Sequence, residues 1–517
     1  MRKNQKKLLY LLASVMLIVS ACSKETNTSG NSDFSSVLEQ KSTLQQVPAG
    51  NPIDETTLNK SVIKTLENTG DFKWTNTDLK TLWSALQYND HSLAIGYAPS
   101  NAGDISGKLG SINISTGIYR KVHDALIDFI ITEANKTAAT PITWQQILIE
   151  DDPSLPILTV RLTDKNVLTA LSNLKNVRYL EPIDFWPGDA NRSSSGCSGS
   201  SYGINTFDYT NITPAAKLPW NYNNITVPSA WNTAQGQGIT VGVIDAGISS
   251  GQPLLGSSFN DGASSVGRTI QVDYTMGGSA YTTCTHGTSM CGAAVGPRNG
   301  QNATTGVAYK SNLYFIRAAD DVVLDASVEI TGVKNAMVRM GDRADVKVIS
   351  MSMGTPFGSS VLKDGVDYAY NKGKLVLAAA GTSYSWTSWW GVIYPAAYSS
   401  CVAVTGVKES SSTCSDCHDG SQVLLTVPME RNGNTSRNSL SLAPSGVNPT
   451  YIGGSSIATS TTAGVAALVW SAKPNMTRAQ LLTCLTNTAQ YYPTKNSSRG
   501  YGNINANAAV NYAISHY

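Results

Sequence analysis

Five short apolar runs recur along the second half of the chain, "ITVGVID", "NLYFIRAA", "VKVISMSM", "LVLAAAG" and "CVAVTGV", interleaved with helical segments. Such runs are too uniformly hydrophobic for a sheet with one wet face. Set among helices, they predict an α/β domain from about residue 218 onward, its parallel sheet buried on both faces. In sheets of this kind the reacting groups gather outside the carboxyl ends of the strands, so that is where the chemistry is sought.

The strand "ITVGVIDAGIS" ends in Asp245, followed by Ala246 and Gly247. An acid at a buried strand end caps a loop or orients a histidine. Of the five histidines (His91, His123, His286, His418 and His516), only His286 begins a small-residue helix, "HGTSMCGAAVG". Further on, "YIGGSSIATSTTAGVAALVW" is a tight turn followed by a small apolar helix. The N–H groups at such a helix start favour developing negative charge, so Ser455 or Ser456 is either a cap or a nucleophile. A nucleophilic serine needs a base and an orienting acid. The order Asp245, His286, then serine matches the chain order described for the subtilisin triad.

On these motifs residues 218 to 515 resemble the subtilisin-like serine proteases. "VGVIDAGI" resembles the family's aspartate motif, "HGTSMCGAAVG" its histidine motif and "GSSIATSTTAGVAALV" its serine motif. "VISMSMG" resembles the substrate-binding strand and "YGNINANAAV" the C-terminal segment. The resemblance implies Asp245 as orienting acid, His286 as general base and Ser456 as nucleophile, with Ser455 at the family's Thr position. It implies substrate contacts along the backbone of residues 350–354, with Ser352, Met353, Gly354 and Gly381 at the binding edge. Trp386, Trp389 and Trp390 either line the primary specificity pocket or cover a sheet edge. The oxyanion hole would combine the Ser456 N–H with Thr382, which stands where the family has an asparagine after A-A-A-G. Threonine has a donor hydroxyl on a shorter arm, and Ser383 or Tyr384 are the alternative donors. The family's Pro-His after the serine motif is Ser460-Thr461 here, a change expected to act on packing.

The front of the chain adds an export signal. "MRKNQKK" is a basic leader and "LLYLLASVMLIVS" an apolar run too short for a comfortable membrane span. The run ends in "VSAC", which resembles the lipobox of bacterial lipoproteins and implies lipidation of Cys22. The expected division is residues 1–21 signal peptide, 22–84 a Ser/Thr/Asn-rich tether, 85–187 a small α+β domain, 188–217 a linker with the processing site, and 218–517 the catalytic domain. Within 85–187 the pattern strand, helix, strand, helix, strand, ending "NVRYLEPI", resembles the family's inhibitory propeptide. The fold expected is thus a subtilisin-like three-layer α/β domain with a mainly parallel central sheet, preceded by a ferredoxin-like α+β propeptide domain.

Removing Cys22 leaves seven cysteines, an odd number in an oxidising compartment. Cys414 and Cys417 form a lone C-x-x-C that reads as a disulfide or loop clip rather than a zinc site, and Cys291 reads as a core residue or half of a disulfide. A disulfide from Cys197 across the processing region would keep the two halves joined after cleavage. The net charge of +2 gives no nucleic-acid signal. Expected partners are polypeptide substrates, the chain's own propeptide and, through Cys22, the outer membrane, periplasmic face or cell surface, with release after processing. No cofactor or metal is expected, and no motif locates a structural calcium. Two rivals stand beside this reading: a sedolisin-type acid peptidase, disfavoured by Asp245 and His286 in their own motifs, and a catalytically impaired peptide-binding or adhesion lipoprotein.

Overall fold

A computed structural model describes residues 37–187, 195–197, 203–325, 327–383 and 391–517. The signal segment, Cys22, Tyr384 and the three tryptophans Trp386, Trp389 and Trp390 lie outside these residues. Among the described residues no helix is long and apolar enough to cross a membrane.

The front unit is built on four antiparallel strands, β1 (Ser92–Tyr97), β2 (Leu148–Asp151), β3 (Ile157–Arg161) and β4 (Val177–Pro182), in the order β2-β3-β1-β4. Helices α1 (Glu55–Thr69), α2 (Leu79–Leu86), α3 (Gly117–Asn135) and α4 (Lys165–Ser172) share one core with it. Side chains alternate across a strand. Ile95, Leu158 and Leu180 therefore face the helices, while Ala94, Ile157 and Tyr179 face away. The folded unit begins earlier than the expected tether boundary at residue 84. In α1, Leu58, Val62 and Leu66 recur every fourth residue and are buried, which anchors a helix whose other residues are mostly polar.

The large sheet holds β7 (Thr240–Asp245), β8 (Ile270–Tyr274), β9 (Asn312–Arg317), β10 (Val346–Met351), β11 (Leu375–Ala379), β12 (Val402–Lys408), β13 (Val423–Arg431), β14 (Asn434–Leu442) and β15 (Pro449–Ile452). A small hairpin, β5 (Tyr209–Ile212) with β6 (Ala216–Pro219), precedes it, so ordered structure also reaches into the expected linker. The order is β15-β14-β13-β12-β11-β10-β7-β9-β8, parallel from β8 to β13 and antiparallel only at β14 and β15. Val241, Val243 and Val348 enter one core with α5 (His286–Val295) and α8 (Gly454–Ala472). Ile244, Ile349 and Met351 enter a second core with α6 (Ser327–Asp342) and α7 (Ser360–Asn371). Helix, sheet, helix: this is the three-layer α/β fold the apolar runs predict.

Most of the outer face of the front sheet is covered. Tyr179, Ile157 and Ala94 pack with Val361 and Tyr368 of α7. Arg178 forms a two-point ion pair with Asp364 at 2.7 and 2.8 Å, and the Tyr179 hydroxyl donates to the same carboxylate at 3.0 Å. Lys334 of α6 is fully buried between Glu150, at 2.9 Å, and Asp152. The Glu181 carboxylate accepts the Ser360 N–H at 2.6 Å, at the start of α7.

Candidate active site

Asp245 is the last residue of β7 and fully buried. Its Oδ1 accepts the Ala246 N–H at 2.8 Å, which fixes the carboxylate. His286 opens α5, and its Nδ1 lies 2.8 Å from Asp245 Oδ1 and 3.0 Å from Oδ2. A carboxylate only accepts, so Nδ1 carries the proton and Nε2 keeps a lone pair. The close approach depends on Gly287, where a Cβ would fall 2.5 Å from Phe315 and 2.6 Å from the Gly247 carbonyl. Burial alone would push the His286 pKa down. The charge of Asp245 and its hydrogen bond, with help from Asp321, outweigh that and raise it above the ordinary histidine value.

The serine pair divides by burial. Ser455 is 1% exposed, whereas Ser456 is half-buried. Gly454 opens α8 at φ +76°, a left-handed conformation, and a Cβ on it would lie 2.5 Å from Thr382 Oγ1. This turn puts Ser456 in the first turn of α8, where backbone N–H groups lack helical partners. Helices α5 and α8 run side by side. Ser460 Oγ donates to Met290 Sδ at 3.1 Å, and one turn further a Cβ on Gly464 would lie 2.8 Å from the Ala294 carbonyl. One turn back along the same seam, the positions are Ser456 and His286. In this structure the Ser456 hydroxyl donates to the Ser352 carbonyl at 3.4 Å, and no hydrogen bond joins it to His286 among the described residues. Unliganded sites commonly hold such pairs loosely. Ser352 Oγ donates in turn to the Ser456 carbonyl at 3.0 Å.

Thr382 is occupied. Its Oγ1 accepts the Ser455 N–H at 3.2 Å and shares a hydrogen bond with Ser455 Oγ at 3.2 Å. Ser455 Oγ also accepts the Gly381 N–H at 3.1 Å. The substrate-edge residues Ser352, Met353 and Gly354 line one cavity with Gly381, Thr382 and Ser456. Gly354 is already paired: its N–H donates to the Val322 carbonyl and its carbonyl accepts the Leu324 N–H, both at 2.9 Å. Ser383 donates its N–H to the Asp416 carbonyl at 2.6 Å.

The cysteines take up readings the sequence left open, and one histidine is brought to the site that the motifs did not place there. Cys197 and Cys284 form a disulfide two residues before His286, joining the segment expected to be a linker to the histidine loop. Cys414 and Cys417 form the second disulfide, and Cys291 is free and buried. His418, beside that second disulfide, lines the cavity next to Ser456. Its place beside the C-x-x-C was visible in sequence, but its direction was not. No group of three or more metal-binding side chains occurs among the described residues.

A hydroxyl at a helix N-terminus, near an imidazole paired to a buried carboxylate, is the set of groups that proton transfer and oxyanion stabilisation require. The subtilase family model matches residues 236–503. The chain is 30% identical over 290 residues to thermitase of Thermoactinomyces vulgaris, covering 56% of this chain and 94% of that protein. It is 33% identical over 297 residues to subtilisin E of Bacillus subtilis (strain 168), covering 57% and 72%. To M-protease of Shouchella clausii (strain KSM-K16) it is 27% identical over 385 residues, covering 73% of this chain and 86% of that protein.

Proposed function

The chain belongs to the subtilase family of serine endopeptidases, and from that premise we propose that it cleaves peptide bonds through an acyl-enzyme on Ser456. His286 Nε2 takes the Ser456 proton as Oγ attacks the carbonyl, then returns it to the leaving amine. Asp245 holds the tautomer and stabilises the imidazolium. The observation that carries this assignment is the His286 Nδ1 contact to Asp245, which leaves the Nε2 lone pair free at the seam shared with Ser456. The Ser456 N–H donates to the oxyanion. Thr382 contributes by holding Ser455 and the start of α8 in place. An extended peptide adds along residues 352–354, displacing the Val322–Leu324 pairing at Gly354.

Residues 37–187 act as the intramolecular inhibitor. Their docking on α6 and α7 supports this, as does the M-protease alignment, which is longer than the catalytic domain alone. Processing falls in residues 188–217, on the C-terminal side of Cys197. The Cys197–Cys284 disulfide then keeps the lipid-anchored front unit attached to the cut enzyme. Hydrolysis of an unstructured protein by the processed wild type, abolished in Ser456→Ala, tests the activity. Binding of peptides without hydrolysis would favour the impaired peptide-binding alternative.

A further inference from the structure

A peptide that adds a strand needs free backbone groups on the edge it joins. Gly354 has none to offer. Its N–H donates to the Val322 carbonyl and its carbonyl accepts the Leu324 N–H, so Val323 sits beside Gly354 where an incoming strand would lie. Val323 also lines the same cavity as Ser456, Met353 and Gly381. That cavity measures about 30 Å3, the share of one water molecule in the liquid, and no peptide side chain enters it. The substrate edge is closed in this structure.

One side chain holds the covering segment at both ends. Glu329, 3% exposed in the first turn of α6, accepts the Asp320 N–H on Oε1 and the Asp325 N–H on Oε2, each at 2.9 Å. Residues 320–325 therefore form a strap whose two ends meet on a single carboxylate. Both bonds are charge-assisted, the stronger kind for a backbone donor. Arg317 gives the Asp320 end a second anchor through an ion pair. Between the ends, Val322 and Leu324 are buried in the second core, which favours the closed position. The strap leaves β9 beside Asp245, whose carbonyl accepts the Ala318 N–H at 3.0 Å.

We propose that Glu329 is a positioning residue that latches this strap over the substrate edge, so that peptides reaching Gly354 bind only when the latch lets go. This rests on the protease reading above. A peptide long enough to run past Ser352 to Gly354 replaces the two hydrogen bonds that the strap gives up. A substrate with one small residue before the scissile bond reaches Ser456 but not Gly354, so it does not need the strap open. Binding of the long peptide draws on the open fraction alone, and its apparent affinity is reduced by that fraction.

The test uses the processed full chain and two substrates with alanine before the scissile bond: a fluorogenic peptide extending about four residues upstream, and an acylated alanine ester. In Glu329→Ala, kcat/KM for the peptide should rise roughly tenfold through KM, with kcat within about twofold and the ester cleaved as in the wild type. Glu329→Gln is close in shape and keeps one acceptor oxygen, so its peptide-to-ester ratio should rise to a lesser degree. Each ratio is taken within one preparation, so a loss of folded protein cancels. A ratio that is unchanged or lowered in the variants would overturn the proposal and leave Glu329 a support of the fold or of the bound peptide. Wild type that cleaves neither substrate would overturn it together with the protease reading, whereas cleavage of both with no change of ratio in the variants overturns it alone.

Discussion

Thr382→Val removes a hydroxyl and keeps the shape. In the structure that hydroxyl accepts the Ser455 N–H and shares a hydrogen bond with Ser455 Oγ, both at 3.2 Å. Ser455 is 1% exposed, so these groups lose their partner without gaining water. The loss costs about 1–2 kcal/mol of stability, or roughly 2–8 °C in Tm for a domain of this size. Catalysis should suffer little, less than about tenfold in kcat, because the hydroxyl is already engaged by Ser455. Loss of a true oxyanion donor costs about 10²–10³ in kcat, as measured in subtilisin. Thr382→Asn supplies the longer arm beside Gly454, which has no side chain to obstruct it, and should raise kcat by about tenfold or more. The assay is kcat at saturating peptide and thermal unfolding on the same samples. A drop of about 10² or more in kcat for Thr382→Val, with Tm unchanged, would refute the reasoning and make Thr382 the oxyanion donor.

His286 accepts the serine proton only when neutral, and Asp245 raises its pKa, so kcat/KM should climb from acid pH with a midpoint above the ordinary histidine value of 6.5. Asp245→Asn should lower kcat by about 10⁴ and move that midpoint down, read from a pH–rate profile. Burial raises the Glu181 carboxyl to about 7 in the docked front unit, against 4.5 for a free glutamate. A raised carboxyl pKa stabilises docking below the free value and loses that contribution as pH rises through about 7. Thermal unfolding of the full chain should therefore weaken over that interval, and Glu181→Gln should flatten the dependence. After processing, the two fragments should migrate together without reductant and separate with it, and Cys197→Ser should let them separate in both.

The central strands were legible because both of their faces are buried, which leaves unbroken apolar runs. β14, "NTSRNSLSL", gave no such signal, since its first five residues are exposed or half-buried. Helix α1 hid in a polar composition, although Leu58, Val62 and Leu66 already carried a helical spacing. Asp245 and His286 could be named from their motifs, and the structure brings them to 2.8 Å. What sequence order does not carry is the pairing of distant loops. The Cys197–Cys284 disulfide spans 87 residues, and the Thr382 hydroxyl meets Ser455 across 73. The Val322–Leu324 pairing at Gly354 and the direction of His418 belong to the same class. Each depends on where the folded sheet delivers a loop.

The assignment of Ser456 over Ser455 is most directly tested by labelling the processed wild type with a fluorophosphonate and locating the adduct by peptide mass spectrometry. The account predicts one adduct, on Ser456, lost in Ser456→Ala and retained in Ser455→Ala. An adduct on Ser455, or a wild type that takes no label while it cleaves peptides, would contradict it.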